Sequence, residues 1–165
     1  MAADLRIPIS PIVGMVNTAG DATHPPFIVL ANPNGSGKNL RIYQIEVTSE
    51  GATNRLKMRR VAASGLGLGG TTTAGLLIRK DETDVTAIVA TLNGCTAFTG
   101  TAFTEAQSFW YDRTSSAGSA GYVLQSVIRP LSFPLIVKPN SSIEFMAADN
   151  GAAVLARFFV TFDEV

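Results

Sequence analysis

Apolar and polar residues alternate with a period of two along much of the chain, which is the signature of strands with one buried face. At the C-terminal end Val154, Ala156, Phe158, Val160 and Phe162 interleave with Ala153, Leu155, Arg157, Phe159, Thr161 and Asp163. Upstream, residues 134–146 read as strand, proline turn and strand, with Pro139-Asn140 at the turn. Further strands are predicted over Phe27 to Ala31, Leu40 to Thr48, Arg55 to Ala62, Ala74 to Lys80, Val85 to Leu92 and Gly121 to Ile128. Turn pairs such as Asn34-Gly35, Glu50-Gly51 and Asn93-Gly94 separate them. Thr104-Glu105-Ala106-Gln107 has capping-box spacing and predicts a short helical turn. Ser64 to Thr73 and Ser115 to Gly121 are rich in glycine and serine and predict flexible loops.

Residues 1–25 follow a different pattern. Ile7-Pro8-Ile9-Ser10-Pro11-Ile12-Val13 sets apolar side chains among prolines, and His24-Pro25-Pro26 closes the segment. Proline lacks the N–H that a central strand donates, so the segment predicts an edge strand or an extended arm. The expected organisation is an arm over 1–25 and one β domain over 26–165. Many short strands with glycine and proline turns point to a sandwich or barrel, with no helix long enough for a parallel crossover.

Composition narrows the class. At 165 residues one substantial core is expected. Charged residues are only 16% of the chain, against about 25% in typical soluble domains. Such a surface is covered by small polar residues or is hidden against partners. Thirteen basic residues balance thirteen acidic ones, which gives no pull toward nucleic acid or an anionic membrane. The longest apolar runs fall short of a membrane span, and the N-terminus lacks a secretion-signal pattern. Cys95 stands alone, so no internal disulfide can form, and a small buried hydrophobe is its expected role.

Candidate chemistry is sparse. Residues 32–39 resemble a phosphate-binding loop, but Asn32 and Asn39 occupy the places of the first glycine and the magnesium-binding hydroxyl. Gly65, Gly67 and Gly70 fit a dinucleotide fingerprint, yet β-branched Thr71 to Thr73 follow where a helix should begin. Asp81, Glu82 and Asp84 read as a solvated charged turn, and a single histidine excludes a cupin-like metal centre. The expectation is a protein with no enzymatic activity and no cofactor. Arg55, Lys57 and Arg59 share one face of a strand, as a salt-bridged outer face or a contact for an acidic partner. Ile7, Ile9, Ile12 and Val13 supply apolar contact groups in the arm. These seven residues form the candidate partner-contact set.

Residues 32–42, Asn-Pro-Asn-Gly-Ser-Gly-Lys-Asn-Leu-Arg-Ile, run straight into a strand. With the Pro134 to Ser142 turn and the terminal strand ending in Glu164, they resemble structural proteins of tailed bacteriophages. The resemblance covers roughly residues 27–49 and 121–165. It implies an all-β, jelly-roll-like antiparallel sandwich with an extended N-terminal arm. It further implies a capsid decoration (cement) protein, commonly a trimer, made in the host cytoplasm and held on the virion surface by the major capsid protein. The alternative within the virion is a head-fibre or tail receptor-binding module that recognises a host surface glycan.

Overall fold

A computed structural model describes residues 10–20, 27–50, 54–61, 68–98, 110–114, 124–147 and 155–165. Among these residues every regular element is a strand. In chain order they are β1 (Ile12–Ala19), β2 (Phe27–Asn32), β3 (Leu40–Glu50), β4 (Asn54–Val61), β5 (Leu68–Ala74), β6 (Leu76–Arg79), β7 (Thr91–Phe98), β8 (Trp110–Thr114), β9 (Leu124–Val137), β10 (Ser141–Ala147) and β11 (Leu155–Glu164).

They form two antiparallel sheets. Sheet I has the order β6-β1-β11-β3-β9, and sheet II the order β5-β7-β2-β10-β4-β8. The pairings are nested: β1 with β11, β2 with β10, β3 with β9 and β4 with β8. Successive nested pairs lie in alternate sheets, joined by the contacts β11–β3 and β10–β4. A double ribbon wrapped in this way is the jelly-roll sandwich. The segment carrying β5, β6 and β7 is inserted between β4 and β8 and widens both sheets on the β1/β2 side.

Alternation explains the core. Ile12 and Val16 of β1 face Ala156, Phe158, Val160 and Phe162 of β11 within one buried cluster, which sheet II completes with Ile28, Leu30, Met58, Leu92, Ile143 and Phe145. Phe145 and Phe158 meet across the two sheets with ring centroids 4.3 Å apart and planes tilted by 48°. Asn140 takes a left-handed conformation (φ 57°) between β9 and β10, which is how the proline turn reverses the chain.

Several elements differ from the sequence expectation. Residues 12–19, inside the expected arm, form β1, which is paired on both sides. Pro8 and Pro11 precede the strand, so neither breaks its ladder. The strand expected from Val85 begins only at Thr91. The Asp81 and Asp84 carboxylates accept bonds from the N–H groups of Thr83 and Thr86, while those of Val89 and Ala90 go to Glu164, so the ladder loses its donors there. Part of the expected glycine loop, from Leu68, is strand β5, because Thr71 to Thr73 favour extended backbone, and Thr72 and Thr73 pair with β7 past a bulge between Gly69 and Thr72. The Thr104 turn and the Ser115 to Gly121 loop lie outside the described residues.

Between β5 and β6 the chain passes from sheet II to sheet I in a single residue, Gly75, whose N–H donates to the Leu92 carbonyl at 2.7 Å. A Cβ there would sit 2.7 Å from Cγ and 3.0 Å from Cβ of Leu92, itself buried. Gly75→Ala is therefore expected to destabilise the fold by about 1–3 kcal/mol, as overpacking does, read as a lower urea midpoint with unchanged m.

Candidate partner-contact surface

The seven candidate residues fall in different environments. Ile7 and Ile9 lie outside the described residues. Ile12 is wholly buried in the core. Its neighbour Val13 points to the outer face of sheet I and is half-buried. Lys57 and Arg59 lie on one face of β4, opposite core-facing Met58. Lys57 is buried and Arg59 half-buried; the side chain of Arg55 lies outside the described set.

Toward the β5 edge Thr72, Ala74 and Thr91 are exposed, but the centre of the outer face of sheet II is buried. Phe27, Val29, Ala31, Glu144 and Met146 share it with Lys57 and Arg59, and all but Arg59 are buried. Glu144 sits directly across from Arg59, whose Nε–H donates to Oε2. Its Oε1 has no hydrogen-bond partner. Desolvation raises the Glu144 carboxyl above its ordinary range, and the Arg59 guanidinium works against that rise.

A second ionic group lies on the outer face of sheet I. Arg41 Nε and Nη2 donate to the two Asp163 oxygens at 2.8 and 2.6 Å, and the Tyr43 hydroxyl donates to Oδ2 at 3.0 Å. All three side chains are buried. Burial, followed by the hydrogen bond to Asp163, pushes the Tyr43 phenol up to about 12. Tyr43 occupies a bulge: Ile42 pairs with Phe162 and Gln44 with Thr161, so one extra residue is accommodated and its ring joins Arg41.

Glu164 forms a third group. Its Oε1 accepts from the N–H groups of Val89 and Ala90 at 2.8 and 2.9 Å, and its Oε2 lies 3.4 Å from Arg79 and 3.7 Å from Lys38. Arg79 also reaches Asp84 at 3.1 Å, and Asp84 accepts a bond from Ser10. The Ser10 hydroxyl and the Thr86 groups, with Arg79, hold the Asp84 carboxyl far below the usual carboxylate range. These carboxylates are occupied in fastening residues 80–90 to the sheet. Among the described residues no three metal-ligating side chains converge.

The remaining outer face of sheet I is apolar near one edge. Leu76, Met15 and Phe159 make one cross-strand row, and Ile78, Val13 and Thr161 make the next. Leu76 is 53% exposed and Ile78 39%. The rows end at Glu46 and Gln44 of β3. Of this surface the sequence singled out only Val13. Alternation along β6 marks Leu76 and Ile78 as one face, but only the register with β1 shows that this face looks outward.

Compared with family models, curated proteins and solved structures, the chain matches none of them.

Proposed function

We propose that this is a structural virion protein, a capsid decoration (cement) subunit that binds the outer shell and stabilises it by bridging major capsid protein subunits. The observation that carries the reading is the nested pairing of β1–β4 with β8–β11. That topology is shared by viral capsid, lectin and cupin domains, so the step from it is one of fold-level analogy. One histidine in the chain speaks against the cupin branch. The low charge content and the outward-facing apolar rows suit a protein whose working state is an assembly, a closed homo-oligomer with a trimer favoured. A subunit that binds only the assembled shell stabilises it by mass action, and simultaneous contacts add avidity.

The test is density-gradient sedimentation from the native source, with mass spectrometry of each fraction. Co-migration with particles at a fixed ratio to a shell protein is the expected result. Recovery only as a small free species, or on tails with a glycan ligand, would overturn it. Attachment through the N-terminal segment has its own test. Deleting residues 1–9 removes Ile7 and Ile9 but keeps β1, and is expected to lower shell occupancy at least tenfold with the circular dichroism spectrum unchanged. Normal occupancy would remove those residues from the contact.

A further inference from the structure

The sandwich has four sheet edges, and unpaired edges invite strand addition unless charge, proline or a bulge blunts them. Edge strand β9 contains Arg129, Pro130 and Pro134, and β8 contains Asp112 and Arg113. Edge strand β5 has its bulge between Gly69 and Thr72. Among the described residues the fourth edge, β6 (Leu76–Arg79), has none of these devices facing solvent within the strand, and a single exposed lysine, Lys80, follows it. Its one charged residue, Arg79, is turned inward onto Asp84 and Glu164, with its side chain only 8% exposed.

Among the described residues no strand pairs with the outer side of this edge. The Lys80 N–H donates to the Pro11 carbonyl. Alternation along an antiparallel ladder then sends the backbone groups of Leu76 and Ile78 toward β1 and those of Leu77 and Arg79 away from it. Exposed Leu76 and Ile78 continue across the sheet into Met15, Val13 and Phe159, a patch bounded by Lys80 at one end, Arg157 at the other and Glu46 on β3.

We infer that the β6 edge and the apolar rows beside it are the surface through which copies of this chain associate with one another. Composition favours a second copy as the occupant. Charge-depleted apolar patches characterise homo-oligomer interfaces, whereas transient partners meet on surfaces about as polar as the rest of the protein. Area agrees with that choice. From Thr71 to Arg79 the exposed margin runs about 30 Å at roughly 3.3 Å per residue. With the rows beside it, that margin is of the order of the ~800 Å² per partner of a standard interface, about a tenth of the 8508 Å² the chain exposes. Antiparallel self-pairing centred on Leu76–Arg79 would set the two Lys80 side chains at opposite ends of the pair.

The surface is the one through which the oligomer proposed above would close, and the inference rests on that reading for oligomerisation alone. Sedimentation velocity of the purified full chain, with no particles present, keeps the two separable: a failure here leaves shell binding standing, and the converse holds. The wild type is expected to exceed its 17.4 kDa monomer mass in the micromolar range. Leu76→Lys with Ile78→Lys is expected to weaken association at least a hundredfold, whereas Lys138→Glu, on the exposed β9–β10 turn, leaves it unchanged. Hydrogen exchange at the Leu77 and Arg79 amides gives a second readout that needs no variant. Their protection should rise with protein concentration. A wild type that stays monomeric at about 200 µM, an oligomer indifferent to both lysines, or exchange independent of concentration would each overturn the inference. Capture of an extended peptide by a monomeric chain at this edge would likewise replace the second copy as its occupant.

Discussion

Asp163→Ala is expected to lower stability by about 3–5 kcal/mol, the cost of breaking a buried ion pair from one side. The substitution strands the guanidinium of Arg41, a residue only 8% exposed, and removes the acceptor of the Tyr43 hydroxyl. At roughly 2–4 °C per kcal/mol for a chain of this length, the melting temperature should fall by on the order of 10 °C. Arg41 and Asp163 are register partners, and the Tyr43 bulge lies two residues further along β3. The same stretch of β3 faces an irregularity in β9, where Ile42 pairs with Leu135 and Gln44 with Pro130. The charged group therefore stands where three strands of sheet I adjust their register together. Replacing both partners, Arg41→Leu with Asp163→Leu, should cost less than Asp163→Ala alone, because no unpaired charge remains. A double variant as damaged as the single would mean that the polar contacts themselves supply the stability.

How much of this was legible in the sequence depends on which residues must be seen together. Period-two alternation located β2, β3, β4, β10 and β11 to within a few residues, since each has a simple in–out pattern or a continuous apolar run. It read β9 as two strands, because four residues between Pro130 and Leu135 stand opposite the single Tyr43 and interrupt the period. The prolines at 8 and 11 drew attention to an arm. The inward sequence Ile12, Gly14, Val16, Thr18 was less visible because one position is glycine, kept small by Leu77 and Val160, each 2.9 Å from where a Cβ would be. The charge groups were the least legible. Arg41 and Asp163 are 122 residues apart, and Arg59 and Glu144 are 85 apart. Nothing local in either partner announces the other, whereas the alternation that placed Arg55, Lys57 and Arg59 on one face is local and could be read directly.

Arg59→Met is expected to destabilise the protein by about 3 kcal/mol near neutral pH, toward the low end for a stranded buried charge, because Arg59 itself keeps some solvent. Its dependence on pH tests the cause. Burial raises the folded-state value of Glu144 above the ordinary 4.5. The folded protein therefore holds that proton more tightly than the unfolded chain does. The stability linked to it is fully present below the unfolded value and is lost as pH rises through the folded one. Removing the guanidinium takes away the opposing influence, so the folded value climbs further and the loss extends toward neutrality. The difference between wild type and Arg59→Met, measured from urea midpoints, should then be large at about pH 7 and shrink as pH falls toward 4.5. Asp81 and Asp84, both held below their ordinary values, act with the opposite sign: their stabilisation is present above the unfolded range and lost only in stronger acid. Both carboxylates are common to the two proteins and cancel in the difference. Adding Glu144→Gln to Arg59→Met should abolish the pH dependence and recover most of the loss, since the amide carries no charge to strand. A loss that stays constant from pH 4.5 to 7 would instead assign the effect to lost packing of the arginine stem along the β4 face.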